Sequence, residues 1–146
     1  MKKEINKFTV RFPSKSANES FARSAAAAFA AQLDPTLDEL GDIKTAVSEA
    51  VTNAIVHGYK DEIGIIVMTV RLMEPDTIEI TVIDKGCGIP DVEAARAPLF
   101  TTGGAERSGM GFTIMESFMD DLKVRSKEGA GTKVVMRKRL NVRRYK

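Results

Sequence analysis

Between Ile63 and Val82 apolar residues alternate with their neighbours on both sides of a four-residue turn, and this pattern limits the fold more than any other in the chain. Ile66, Met68, Val70 and Leu72 fall on one side of the first run, with Ile65, Val67, Thr69 and Arg71 on the other. Glu74-Pro-Asp-Thr77 turns, and Ile78, Ile80 and Val82 carry the apolar side back. A period of two requires strands, and so short a connection makes them antiparallel. Three more runs read as strands: an N-terminal one with Phe8, Val10 and Phe12 on one side, then Leu122–Ser126 and Lys133–Leu140, joined at Gly129-Ala-Gly131.

Helices fill the intervals. Ser16-Ala-Asn-Glu19 is a capping-box pattern, with Asn18 as an alternative cap, and it predicts a helix to about Gln32, where Asp34-Pro35 stops it. The middle of that helix is nearly all alanine, small enough to lie close against a sheet or a second chain. Thr36-Leu-Asp-Glu39 repeats the pattern and opens a longer helix with Leu37, Leu40, Val47, Val51 and Ala54 as its apolar stripe. His57-Gly58 ends it, with Gly58 expected in the left-handed conformation. A short helix is predicted near Asp91–Arg96, an irregular loop over Pro98–Ser108, and a helix opened by Gly109-Met-Gly111 with Ile114, Met115, Phe118 and Met119 inward. The order predicts one α+β domain over residues 1–146: a two-layer sandwich, its sheet mixed but mostly antiparallel, with helices on one face and 141–146 as a basic tail.

The length of 146 residues, with 43% apolar and 29% charged residues, suits a globular core. No apolar run approaches the roughly 18 residues of a membrane span, and no apolar stretch follows the basic opening as a signal peptide requires. The single cysteine, Cys87, can form no internal disulfide, so a reducing cytoplasm is expected. Seven of the 22 basic residues and none of the 20 acidic ones lie from Lys133 onward. Such a tail could touch nucleic acid, but only Tyr145 interrupts it with an aromatic, and it reads as a solvated end; neither nucleic acid nor membrane is an expected partner.

Three features carry chemistry. Glu49 and Asn53 are four apart and share a helix face, where a carboxylate and an amide oxygen suit magnesium that keeps water and phosphate as its other ligands. The same spacing also describes a solvated face. Asp84-x-Gly86-x-Gly88 after a strand offers a carboxylate for an exocyclic amine and two positions where backbone can come close to a ligand, or else a plain turn. Ser108-Gly-Met-Gly111 at a helix start presents free N–H groups that attract phosphate. It is neither a Walker loop nor a Rossmann fingerprint. His57 at a helix end and Cys87 between glycines are read as structural, and Met110, Met115 and Met119 as core.

Residues 48–58 (Ser-Glu-Ala-Val-Thr-Asn-Ala-Ile-Val-His-Gly), 84–91 (Asp-Lys-Gly-Cys-Gly-Ile-Pro-Asp) and 106–112 (Glu-Arg-Ser-Gly-Met-Gly-Phe) resemble the three nucleotide-binding boxes of the ATPase superfamily of DNA gyrase, MutL-type repair proteins and histidine kinases. Asn-Glu-Ser-Phe-Ala-Arg23, Pro-Leu-Phe-Thr-Thr102 and Gly-Phe-Thr-Ile-Met-Glu116 are similar to the sporulation anti-sigma-F family of serine kinases, from about residue 8 to about 135. The segment Thr102–Glu106 is about one residue shorter than the family pattern and lacks its Lys-Pro.

That resemblance implies a Bergerat-type fold with ATP or ADP and magnesium as ligands. Asp84 would receive the adenine amine with Thr132 beside it, and Asn53 would hold magnesium. Gly86, Gly88, Thr101, Thr102, Ser108, Gly109, Met110 and Gly111 would line the nucleotide. Glu49 would act as general base toward a protein serine, with Arg107 near the γ-phosphate. It further implies a homodimer that captures sigma factor F through Arg23 and phosphorylates an anti-anti-sigma factor. An ATP-gated binding module without kinase activity and a detached histidine-kinase-like catalytic domain are the alternatives.

Overall fold

The computed structural model describes residues 3–96 and 111–140. Thr101, Thr102, Arg107, Ser108, Gly109, Met110 and the tail 141–146 lie outside the described residues.

The alternation of the central hairpin becomes strands β2 (Ile65–Met73) and β3 (Thr77–Asp84), and Ile66, Met68, Val70, Leu72, Ile78 and Ile80 are fully buried. Strand β1 (Glu4–Pro13) pairs with β2, and β5 (Gly131–Arg139) lies between β3 and β4 (Asp121–Lys127), giving the order β1-β2-β3-β5-β4. Every neighbouring pair is antiparallel. The α+β expectation therefore holds, with the mixed sheet resolved as antiparallel throughout the described strands.

Helices α1 (Ala17–Ala30) and α2 (Leu37–Asn53) pack on each other, and their buried residues join the apolar side of the sheet in one core. The alanine tract supplies Ala22, Ala26, Ala27 and Ala30 to that core. Helices α3 (Val92–Arg96) and α4 (Gly111–Phe118) complete the helical layer, with α4 against α2. Among the described residues no helix is long and apolar enough to cross a membrane.

Local signals succeeded unevenly. The Thr36–Glu39 capping box is formed: the Glu39 N–H donates to Thr36 Oγ1 at 3.1 Å, and the Thr36 N–H donates to Glu39 Oε1 at 2.8 Å. Thr36→Ala should cost about 0.5–2 kcal/mol in a denaturation experiment, with little change in the denaturant slope. Ser16 makes no such side-chain bond, because its own backbone is already helical (φ −55°, ψ −34°). Helix α1 ends at Ala30, and a 3₁₀ turn over Ala31–Leu33 brings the chain to Asp34, which is left-handed at φ 55°.

Two stripe assignments are corrected. Leu37, the first residue of α2, is 85% exposed, and Phe118 is exposed while Phe112 is buried at the opposite end of α4. Gly58 is also not left-handed: α2 runs on into a π-helical turn, Ala54–Gly58, whose last N–H bond is from Tyr59 to Ala54 O at 3.0 Å.

Candidate functional site

Asp84 ends β3, and its carboxylate is buried beneath the π-helical turn. It accepts the Gly86 N–H at 2.9 Å and a backbone hydrogen bond from Thr132. Burial pushes its pKa above the ordinary 3.8 because desolvation of the charge outweighs those two bonds.

Gly58 exists for this carboxylate: a Cβ there would stand 2.8 Å from its Cγ and Oδ1. Packing, not helix termination, demands the glycine. Gly86 answers the same crowding, since its Cβ would lie 2.0 Å from the Gly58 carbonyl oxygen, and the Cys87 N–H donates to that oxygen at 2.9 Å. The close approach expected of a ligand at the Asp84–Gly88 loop is thus made, at Gly86, by the protein's own backbone.

Tyr59 fixes the other side of this junction. Its hydroxyl donates to Ile65 O at 2.7 Å and accepts the Lys85 N–H at 2.7 Å, tying the end of the helix to β2 and to the loop after β3. Ser126 does the same from β4: its Oγ accepts the Ile89 N–H at 2.7 Å and lies 2.8 Å from Thr132 Oγ1. Neither residue carries a local spacing signal.

The result is a cavity lined by Ala50, Asn53, Ala54, His57, Gly58, Val82, Asp84, Gly88, Ile89, Thr132 and Val134. Five of the residues singled out from sequence, Asn53, Gly58, Asp84, Gly88 and Thr132, thus meet in one place, with His57 beside them. Its apolar walls were missed, although periodicity contained them: Val82 precedes Asp84 by two and Val134 follows Thr132 by two, so each shares its partner's face. Ala50 on α2 and Ala54 at the start of the π-helical turn flank Asn53 and leave room by being small.

Gly111 opens α4 directly against α2. A Cβ placed on it would be 3.4 Å from Glu49 Oε1 and 3.6 Å from Asn53 Oδ1, so these two oxygens converge on the start of that helix. Both side chains are half-buried. Two chemically different regions thus adjoin at Asn53, which lines the cavity and also faces Gly111. At one, a buried carboxylate between apolar walls suits a flat ring that presents an amine. At the other, an amide and a carboxylate oxygen face a helix N-terminus, where negative charge is stabilised.

Arg23 is not at this cavity. It lies on α1, held by Glu19 Oε2 at 3.2 Å, by Ser20 Oγ at 3.3 Å and by Ser48 Oγ of α2 at 3.4 Å. It is part-exposed on the joined α1–α2 surface, with Ser48 one residue before Glu49. Cys87 is exposed and its thiol donates to His57 O at 3.0 Å, in keeping with a structural part in the loop.

The model of the histidine kinase-like ATPase domain family matches residues 12–138. An anti-sigma F factor of Clostridium beijerinckii is 57% identical over 139 residues, covering 94% of this chain and 96% of that protein. One from Caldanaerobacter subterraneus is 58% identical, covering 91% and 93%. Among solved structures, the RsbU and RsbW domains of a Mycobacterium tuberculosis protein superpose with a TM-score of 0.67 at 19% identity, covering 93% of this chain and 32% of that one. A mycobacterial sensor histidine kinase, MprB, gives 0.54 at 20% identity over 69% and 72%. These structures share the fold. With such identity along nearly its whole length, and with the cavity assembled from the boxes of that superfamily, the chain belongs to the anti-sigma F factor family of histidine kinase-like ATPase domains.

Proposed function

We propose that this chain is an ATP-dependent anti-sigma factor: with ATP bound it holds a sporulation sigma factor of the F type, an anti-anti-sigma factor displaces that subunit, and the chain inactivates the anti-anti-sigma factor by phosphorylating it on a serine. The observation that carries this reading is a cavity that brings Asp84, Thr132 and Asn53 together, with the Asn53 amide oxygen and the Glu49 carboxylate beside it converging on Gly111.

The adenine amine donates to Asp84, whose carboxylate has acceptor capacity left after its two backbone bonds. Val82, Ile89 and Val134 bury the ring faces. The triphosphate runs toward Gly111 at the start of α4, and the preceding Ser108, Gly109 and Met110 are assigned to it by the family resemblance alone. Thr101, Thr102 and Arg107, which lie outside the described residues, are the further nucleotide contacts that the family resemblance implies. Among the described residues no group of three or more His, Cys, Asp or Glu side chains could hold a metal alone. Asn53 Oδ1 fits magnesium that takes its other ligands from phosphate and water, and the ion would neutralise phosphate charge.

Glu49 takes the serine proton as the serine oxygen forms its bond to the γ-phosphorus. The bond between that phosphorus and the bridging oxygen breaks, and ADP leaves with the electron pair. The products are phosphoserine and ADP, and no covalent intermediate with the protein is needed.

Sigma capture is assigned to a homodimer and to the α1–α2 surface around Arg23. A pull-down of a sigma factor F subunit with and without ATP tests it. Retention should require ATP, and Arg23→Glu should lower retention of both the sigma factor and the anti-anti-sigma factor by about tenfold or more, as losing charged hydrogen bonds at an interface does. Nucleotide affinity should stay within about twofold. Equal retention by wild type and Arg23→Glu would remove Arg23 from the interface.

A further inference from the structure

The face of the sheet turned away from the helices carries a charge pattern that the nucleotide chemistry does not use. Alternation sends Lys7 and Arg11 of β1, Arg71 of β2, Lys133, Arg137 and Arg139 of β5, and Lys123, Arg125 and Lys127 of β4 to that side. The acids among them are few, and one of them, exposed Asp121 of β4, stands opposite Arg137 two residues before Lys123. Glu79, 8% exposed, binds both Arg71 (3.2 Å) and Arg137 (2.7 Å), and Glu4 adds a contact to Arg71 at 3.3 Å.

At the β4–β5 edge the cations are left without such partners. Lys123, Arg125 and Lys133 make no ion pair among the described residues, and all three are exposed. Arg125 stands directly opposite Lys133 in the β4–β5 register, and Lys123 is opposite Val135. Like charges placed directly across a strand pair destabilise a sheet, so this arrangement is held at a cost that an anion would relieve. Between these three and the Arg71–Glu79–Arg137 cluster the sheet forms an open hollow of about 670 Å³, floored by Thr81 and Val135.

We propose that this hollow docks an acidic segment of a partner protein, whose carboxylates bind Lys123, Arg125 and Lys133 while its backbone lies along the Thr81–Val135 floor. The chain's own C-terminal residues do not match: 141–146 carry three cations and no acid. Nucleic acid fits less well. Among the described residues the face has no aromatic side chain on which bases could stack, and no helix or ribbon stands out from it to enter a groove. Arg125 adds the planar fork that binds a carboxylate in two places.

The inference is independent of the kinase reading. Its test is fluorescence anisotropy of the full chain at low salt with a labelled dodecapeptide of alternating glutamate and serine. The same peptide with glutamine, and single-stranded and duplex DNA of matching charge, are measured alongside. Saturable binding of the glutamate peptide alone is expected, at least about tenfold weaker in Lys123→Glu/Arg125→Glu and weakened by salt. Lys44→Glu/Lys60→Glu changes net charge equally away from this face and should leave the affinity within about twofold. Arg125→Glu places opposite charges across the pair with Lys133, so the melting temperature should be unchanged or raised. Absence of saturable binding, equal loss in both double variants, or tighter DNA binding that depends on Lys123 and Arg125 would each overturn the proposal.

Discussion

Glu49→Gln should bind ATP about as well as the wild type and phosphorylate the anti-anti-sigma factor some 10²–10⁴ times more slowly, the usual cost of removing a general base. The substitution keeps the size of the side chain and its carbonyl oxygen toward Gly111 while removing the carboxylate that takes the proton. Asn53, 3.6 Å from the same reference point on Gly111, remains in place to hold magnesium. Binding and transfer therefore separate. Affinity is read by titration with a fluorescent ATP analogue and transfer by single-turnover quench, so that product release does not enter the rate. An unchanged transfer rate would remove Glu49 from the reaction, and a parallel loss of affinity would make it a ligand of the phosphates.

Asp84→Asn should do the reverse and lose nucleotide affinity. The carboxylate accepts from two backbone N–H groups and offers a further lone pair to the adenine amine, whereas the amide replaces one oxygen with an NH₂ that cannot accept. A lost hydrogen bond to a charged group is worth about 1.5–3 kcal/mol, roughly 10- to 150-fold in the dissociation constant. The pH dependence has a definite sign. Because burial raises the pKa of Asp84 in the folded chain, its contribution to stability is fully present below the unfolded value of 3.8 and is lost as pH rises through the folded value. The ionised carboxylate is then a cost that an amine donor offsets. The apo wild type should lose stability relative to Asp84→Asn as pH rises through that window, followed by the difference in their thermal midpoints. A difference that does not change with pH would mean that Asp84 is not desolvated as described.

How much of this was legible in the chain differs from residue to residue, for physical reasons. Asp84, Gly88 and Asn53 are local: a strand end followed by spaced glycines, and a helix face with a fixed four-residue spacing, can be read without the rest of the molecule. The alternation over β2 and β3 worked for the same reason, since one face is buried and a slip of one residue would expose it. Gly58 was seen but misread. A glycine at a helix end most often terminates it, whereas here a carboxylate 26 residues later occupies the volume a Cβ would need. Tyr59 and Ser126 were missed because their partners are Lys85 and Ile89, joined only once the sheet has formed. Leu37 and Phe118 show the limit of periodicity: a stripe continues along a helix beyond the point where there is anything to pack against.

The central claim is that this cavity turns ATP into a phosphoserine on a partner. The most direct measurement mixes the purified chain with γ-labelled ATP, magnesium and an anti-anti-sigma factor, and follows label on the partner through acid treatment. Acid-stable label on serine, absent with Asp84→Asn at limiting ATP and slowed with Glu49→Gln, is the predicted result. Measurable ATP binding with no transfer of label, or label that acid removes, would contradict it.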